Sequence, residues 1–190
     1  MEIALFVVLG LVALVLVYAV VIYNNLVNLK HEVSKAWANI DVLLKQRHDE
    51  LPKLVEACRQ YMKYEQETLE RVMKARAAVF DAREKGDVAA VGAAEQALRL
   101  GLGNLFAVAE AYPDLKADST FQHLQTRISQ LENSIADRRE YYNEAVNNNN
   151  VRIEQFPDVL IARRYGFGPA QLLEFEAGDT ADVNLKQLFE

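Results

Sequence analysis

Residues 3–22, IALFVVLGLVALVLVYAVVI, form an unbroken apolar run of twenty residues, and a folded chain cannot leave such a segment in water. As a helix rising about 1.5 Å per residue it spans roughly 30 Å, the thickness of the hydrocarbon core of a bilayer. Fifteen of the twenty are Leu, Val, Ile or Phe and none is charged, so insertion is favoured. A cleaved leader would need a basic start, a shorter apolar stretch and small residues at a cleavage site. Only Met1 and Glu2 precede the run, and Tyr18 and Tyr23 sit near its end as membrane-interface residues would. The expectation is an uncleaved anchor over 1–23. Lys30, Lys35, Lys45 and Arg47 all lie C-terminal to the run, which by the positive-inside rule puts the N-terminus outside and the rest of the chain in the cytoplasm.

Beyond the anchor the chain reads as helices throughout. Leu26, Leu29, Val33, Ala36, Ile40 and Leu43, then Leu51, Leu54, Cys58 and Tyr61, recur at steps of three and four, interrupted where Arg47 takes a turn. No Gly or Pro lies between Gly10 and Pro52, so the membrane helix is expected to continue into the next one, with a kink at Pro52. A second helix is expected over 65–83, ending at Lys85, Gly86 and Asp87. A third begins at Val88 and ends before Pro113. The fourth begins at a capping box formed by Ser119 and Gln122 and carries Phe121, Leu124, Ile128, Leu131, Ile135, Arg138 and Tyr142. Short connections imply antiparallel neighbours. The predicted fold is all-α: an N-terminal transmembrane helix leading into an antiparallel up-down four-helix bundle over 24–157, with a short apolar C-terminal tail over 158–190.

The tail has its own logic. Asp158 is expected to cap a short helix stopped at Gly166, and Phe167, Leu172, Leu173 and Phe175 then need a surface, on the chain itself or on a neighbouring subunit. Leu185, Leu188 and Phe189 read as a detachable apolar motif. The run Asn147 to Asn150 disfavours helix and is expected to fray, unless its amides hydrogen-bond the tail or a neighbour. Arg138 holds a stripe position and needs a partner if buried; counting register back from the Pro113 turn selects Glu95 as its ion-pair partner.

The same residues carry a resemblance. YNNLVNL at 23–29, Trp37 with Ile40, Asp41 and Leu44, Arg47 ahead of Leu51, Pro52 and Leu54, and AYPDLKA at 111–117 come in order. Phe121 and Leu124, then Arg138, Arg139, Tyr142, Asn143 and Val146, Ile153 with Phe156 and Pro157, and Gly166 with Phe167 complete the series. The chain resembles the LemA family over nearly its whole length. That resemblance implies a bacterial inner-membrane protein with one N-terminal membrane helix and a cytoplasmic helical bundle. It implies no catalytic residues.

Chemistry finds little purchase here. His31, His48 and His123 are isolated, and Asp49 and Glu50 beside His48 point in different directions on a helix, so that group reads as a solvated face. No glycine-rich phosphate loop comes after a strand, because no segment alternates as a strand. A net charge of −6 argues against a nucleic-acid surface. The lone Cys58 reads as a small core residue. No enzyme activity, metal or cofactor is expected. The function class is therefore interaction: membrane lipid as one partner, and either copies of the chain, forming a self-assembling scaffold, or a cytoplasmic protein, for which the chain would be an anchored adaptor. Val27, Val42 and Leu44 lie off the main stripe of the first helix, and Gly101 and Gly103 permit close approach on the third. Both features favour homo-oligomerisation. The membrane run has no GxxxG pattern, so assembly is expected to be led by the cytoplasmic part.

Overall fold

A computed structural model of the chain describes residues 1–174, and among these every regular element is helical. Helix α1 runs from Glu2–Arg59, through Pro52 and without a break after the apolar run. Then come α2 (Gln66–Glu84), α3 (Val88–Ala109), a short α4 (Pro113–Ala117), α5 (Ser119–Glu154) and α6 (Asp158–Tyr165). Phe175 and the motif at Leu185, Leu188 and Phe189 lie outside the described residues.

Local chemistry sets the connections, in places differently from the sequence reading. Gly86 adopts φ 67°, a left-handed conformation that costs glycine nothing, between α2 and α3. Asp87 then caps α3, its carboxylate accepting from the Ala90 amide at 3.0 Å. The unexpected α4 begins with Pro113 at its first position, where the missing N–H is no loss. The cap of α5 is Asp118, which accepts from the Phe121 amide at 2.9 Å and from the Tyr61 hydroxyl at 3.2 Å. Ser119 is already inside the helix, so the expected capping box with Gln122 does not form; Gln122 donates instead to the Lys116 carbonyl at 2.6 Å. An aspartate one residue earlier is the stronger acceptor for the free amides of a helix start.

The described residues form two compact units. The first comprises Met1–Val42 and Ile135–Leu172. Here Ile22 and Leu26 of α1 pack with Ile153 of α5 and Ala162 of α6, with Ile161 and Phe167 against them. The second comprises Leu43–Ser134 together with Leu173 and Glu174. Its core takes Leu51, Leu54 and Cys58 from α1, Leu69, Val72 and Val79 from α2, Leu98, Leu102 and Leu105 from α3, and Phe121, Leu124 and Ile128 from α5. Each such side chain contributes about 1.5–3 kcal/mol when fully buried, so four helical segments share one substantial core.

Two expectations about excess surface change. Leu44 is buried to 2% exposure and belongs to the stripe, while Leu43 is only half-buried. The phase slips there because Arg47 lies inside, and Leu44 is one short helical step from it. An added Cβ at Gly101 would meet Val72 of α2 at 3.5 Å, within the chain, whereas one at Gly103 would meet nothing.

Candidate functional site

The most unusual feature of the second unit is a guanidinium sealed among helices. Arg47 of α1 is 1% exposed. Its two terminal nitrogens donate to Glu95 of α3 and Glu132 of α5. Glu95 is also buried, whereas Glu132 reaches partly into solvent. The expected partner of Glu95, Arg138, is exposed, so the predicted Glu95–Arg138 pair is replaced by Arg47–Glu95. The reason is register: the count centred the turn about two residues too late, setting Glu110 opposite Gln122, and the carboxylate level with Glu95 is Glu132, about a turn and a half before Arg138. The interruption of the stripe at Arg47 was the signal that a charge goes inside.

Electrostatics of this centre are structural. Burial alone would lower the Arg47 pKa, but Glu95 and Glu132 together hold it above its ordinary value. Burial pushes the Glu95 carboxyl up, and Arg47 offsets part of that. Arg47 Nε has no hydrogen-bond partner among the described residues. A guanidinium held on two sides and enclosed by apolar helices cannot approach a substrate; what it can do is fix which helices pack together.

His48, expected on a solvated face, is half-buried instead. Its carbonyl accepts from Arg76 Nε at 2.8 Å, its Nε2 lies 2.6 Å from Arg76 Nη2, and its ring packs on Phe80 with centroids 4.8 Å apart. Burial first, and the Arg76 charge second, lower its pKa. The ring is therefore a neutral acceptor from Arg76. Glu50 bonds Lys53 on the same helix at 3.1 Å. Among the described residues no three His, Cys, Asp or Glu side chains converge as a metal requires. Cys58 is fully buried and its thiol is pushed up to about 12 by burial, which removes its thiolate chemistry at neutral pH.

In the first unit the tail is read by side chains. Asn150 holds both main-chain groups of Ala170: its amide donates to the carbonyl at 2.9 Å and its oxygen accepts from the N–H at 2.8 Å. Asn149 donates to the Gly168 carbonyl at 3.3 Å, and the buried Tyr142 hydroxyl donates to the Gln171 carbonyl at 2.8 Å. Burial raises the Tyr142 pKa, and its ring packs on Trp37 at 5.5 Å. The Asn147 to Asn150 run is helical throughout and does not fray; half of it faces the tail, the second of the two readings. Asp158 is not the cap of α6. It lies buried in the first turn and pairs with Arg152 Nε at 2.7 Å, while Gly166 ends the helix at φ 74°.

The remaining expected residues fall into three environments. Tyr18, at 51% exposure, stands free of the helical core; Tyr23 meets Tyr165 and Phe167 edge-on at 5.0 and 5.7 Å. Phe167 and Leu173 are covered by the chain itself, and Leu172 is 39% exposed. Leu173 and Glu174 lie against Gly92 of α3, where an added Cβ would stand 2.2 Å from the Glu174 carbonyl oxygen.

Magnetosome protein MamQ 2 and Magnetosome protein MamQ 1 of Paramagnetospirillum magneticum are each 39% identical to this chain over 90 residues, 47% of this chain and 33% of the relative. Magnetosome protein MamQ of Magnetospirillum gryphiswaldense is 33% identical over the same length. The chain thus spans 33% of the length of the curated relatives it matches. The model of the LemA family matches residues 36–186, a stretch that takes in the buried ion cluster and the asparagine clamp together. The chain belongs to the LemA family.

Proposed function

We propose that this protein is a non-enzymatic, single-pass membrane scaffold that self-assembles through its helical part. The observation that carries the reading is the state of the apolar run: nearly every side chain from Ile3 to Val21 is exposed, so the chain buries almost none of its most apolar segment and lipid is the natural solvent for it. In this reading the N-terminus lies outside a bacterial inner membrane, the helical part lies in the cytoplasm, and α1, α2, α3 and α5 form an antiparallel four-helix bundle around the second core. Relatives named for the magnetosome, a cellular structure and not a reaction, support an organising role over a catalytic one.

Self-assembly draws its support from apolar side chains that no core uses. Val42 is 55% exposed, Leu100 60% and Val151 46%. Such residues are unremarkable singly, but a membrane confines copies to one plane and raises their effective concentration, so weak lateral contacts become sufficient. Mass measurement on the full chain extracted in mild detergent tests the reading. Particles of many copies are expected; a monomer at working concentration would replace the scaffold with an anchored adaptor that presents the same helices to a cytoplasmic protein.

A further inference from the structure

The corner between α5 and α6 carries a face that the chain leaves open. Phe156, Leu160 and Tyr165 are exposed by 80%, 59% and 62%. Phe156 stands just before, and Leu160 and Tyr165 within, an eight-residue helix whose other side, Asp158 and Ala162, is buried. Leu160, Arg163 and Arg164 stand three and four residues apart, which places them on one side of α6, and all three are exposed.

The position of this corner gives the face a partner. Ile161 and Ala162 pack on Ile22 and Leu26 of α1. Ile22 is the last residue of the apolar run, and Leu26 lies one turn, about 6 Å, beyond it. Tyr165 and Phe167 stack on Tyr23 at the same level. Helix α6 is therefore pinned where the run ends, the depth at which acyl chains give way to headgroups and at which amphipathic aromatic residues belong. A second copy fits the face poorly, because a two-fold contact through Leu160 would bring the arginine pairs of both copies together.

We propose that the α5–α6 corner is a second membrane contact, in which Phe156 and Leu160 enter the outer acyl region and Arg163 and Arg164 hold anionic phospholipid headgroups. The inference rests on the reading of residues 3–22 as a membrane span. Exposed apolar side chains beside a pair of arginines are the composition of an interfacial helix, with the long arginine stems lying along the apolar layer and their charges in the headgroups. The corner would fix the tilt and rotation of α1 as it leaves the bilayer.

The test is depth measurement on the full chain in bilayers of phosphatidylglycerol and phosphatidylethanolamine. Nitroxide labels go on Leu160→Cys, on Val12→Cys within the run, and on Ser129→Cys, exposed on α5; the native chain is the blank, since Cys58 is fully buried. At position 160 the ratio of collisions with oxygen to collisions with a water-soluble nickel chelate is expected to be severalfold above that at 129 and below that at 12. A ratio at 160 equal to that at 129, with 12 still in lipid, overturns the inference and leaves the span intact. A label at 12 in water removes the span and the inference with it. Dipolar broadening at 160 that vanishes on dilution with unlabelled chain makes the face a contact between copies and overturns the lipid assignment. Arg163→Gln with Arg164→Gln is expected to move label 160 towards water in these bilayers; an unchanged depth overturns the headgroup part.

Discussion

At the scale of the residue, Arg47 has the largest stake in the fold. Among the described residues its guanidinium is held by Glu95 and Glu132, so Arg47→Ala leaves the Glu95 carboxyl buried and unpaired. Loss of about 3–5 kcal/mol is expected, measured by urea unfolding monitored by circular dichroism. The double change Arg47→Met with Glu95→Leu should recover most of that, because it removes the desolvated charges instead of orphaning one. His48 supplies a pH dependence of known sign. Its pKa is below the ordinary 6.5 in the folded chain, so the unfolded chain takes up its proton first as pH falls. The contribution is complete above about 6.5 and is lost on acidification through the lower, folded value. Comparing thermal unfolding of the native chain and His48→Gln between pH 8 and pH 5 checks this: the native chain should lose more stability over that span, and a parallel pair of curves would rule it out.

At the scale of the element, the tail tests how a segment without regular structure is held. Asn150 makes two hydrogen bonds to the main chain of one residue, Ala170, and each is worth about 0.5–1.5 kcal/mol net. Asn150→Ala should therefore speed amide exchange around Ala170 without melting α5, into whose helix alanine fits better than asparagine. Gly92→Ala acts on the neighbouring residues, because the new methyl would overlap the Glu174 carbonyl and displace Leu173 from a nearly complete burial; exchange at Leu173 and Glu174 should rise. The helices themselves were legible in the sequence, since apolar side chains at three-four spacing have few other ways to be buried: α1 is continuous as expected, α2 lies within one residue of its expected bounds, and α3 begins at Val88 as expected but ends three residues short of Tyr112. Polar partnerships were not legible to the same degree. Which carboxylate meets Arg47 depends on helix register, and register is set by where the chain reverses between α3 and α5, a point that no apolar stripe marks to within two residues. Likewise Asp118 and Ser119 are both good caps, and a shift of one residue decided between them. Asn149 and Asn150 address main-chain groups of the tail, which leave no side-chain signature to read.

At the scale of the whole molecule, the exposed run and the exposed helix positions set two separate outcomes. A reporter active only in the cytoplasm, fused after Glu190, should be active if the basic residues after the run fix orientation; activity only outside would reverse the topology. Self-assembly requires distinguishing residues that hold the chain together from those that hold copies together. Phe167 and Leu173 belong to the first class, being packed on the chain itself, so their replacement by alanine should destabilise each subunit and confuse any count of copies. In the proposed assembly Val42 and Leu100 would belong to the second, since both are more than half exposed on long helices and serve neither core. Val42→Ser with Leu100→Ser should leave the unfolding midpoint within about 0.5 kcal/mol of the native chain, as surface changes do, while reducing particle mass in mild detergent. The contrast is diagnostic because a core effect moves both quantities and a contact between copies moves only one. Unchanged particle mass would show that assembly is led from elsewhere, and native particles no larger than one chain would leave the adaptor as the function of these helices.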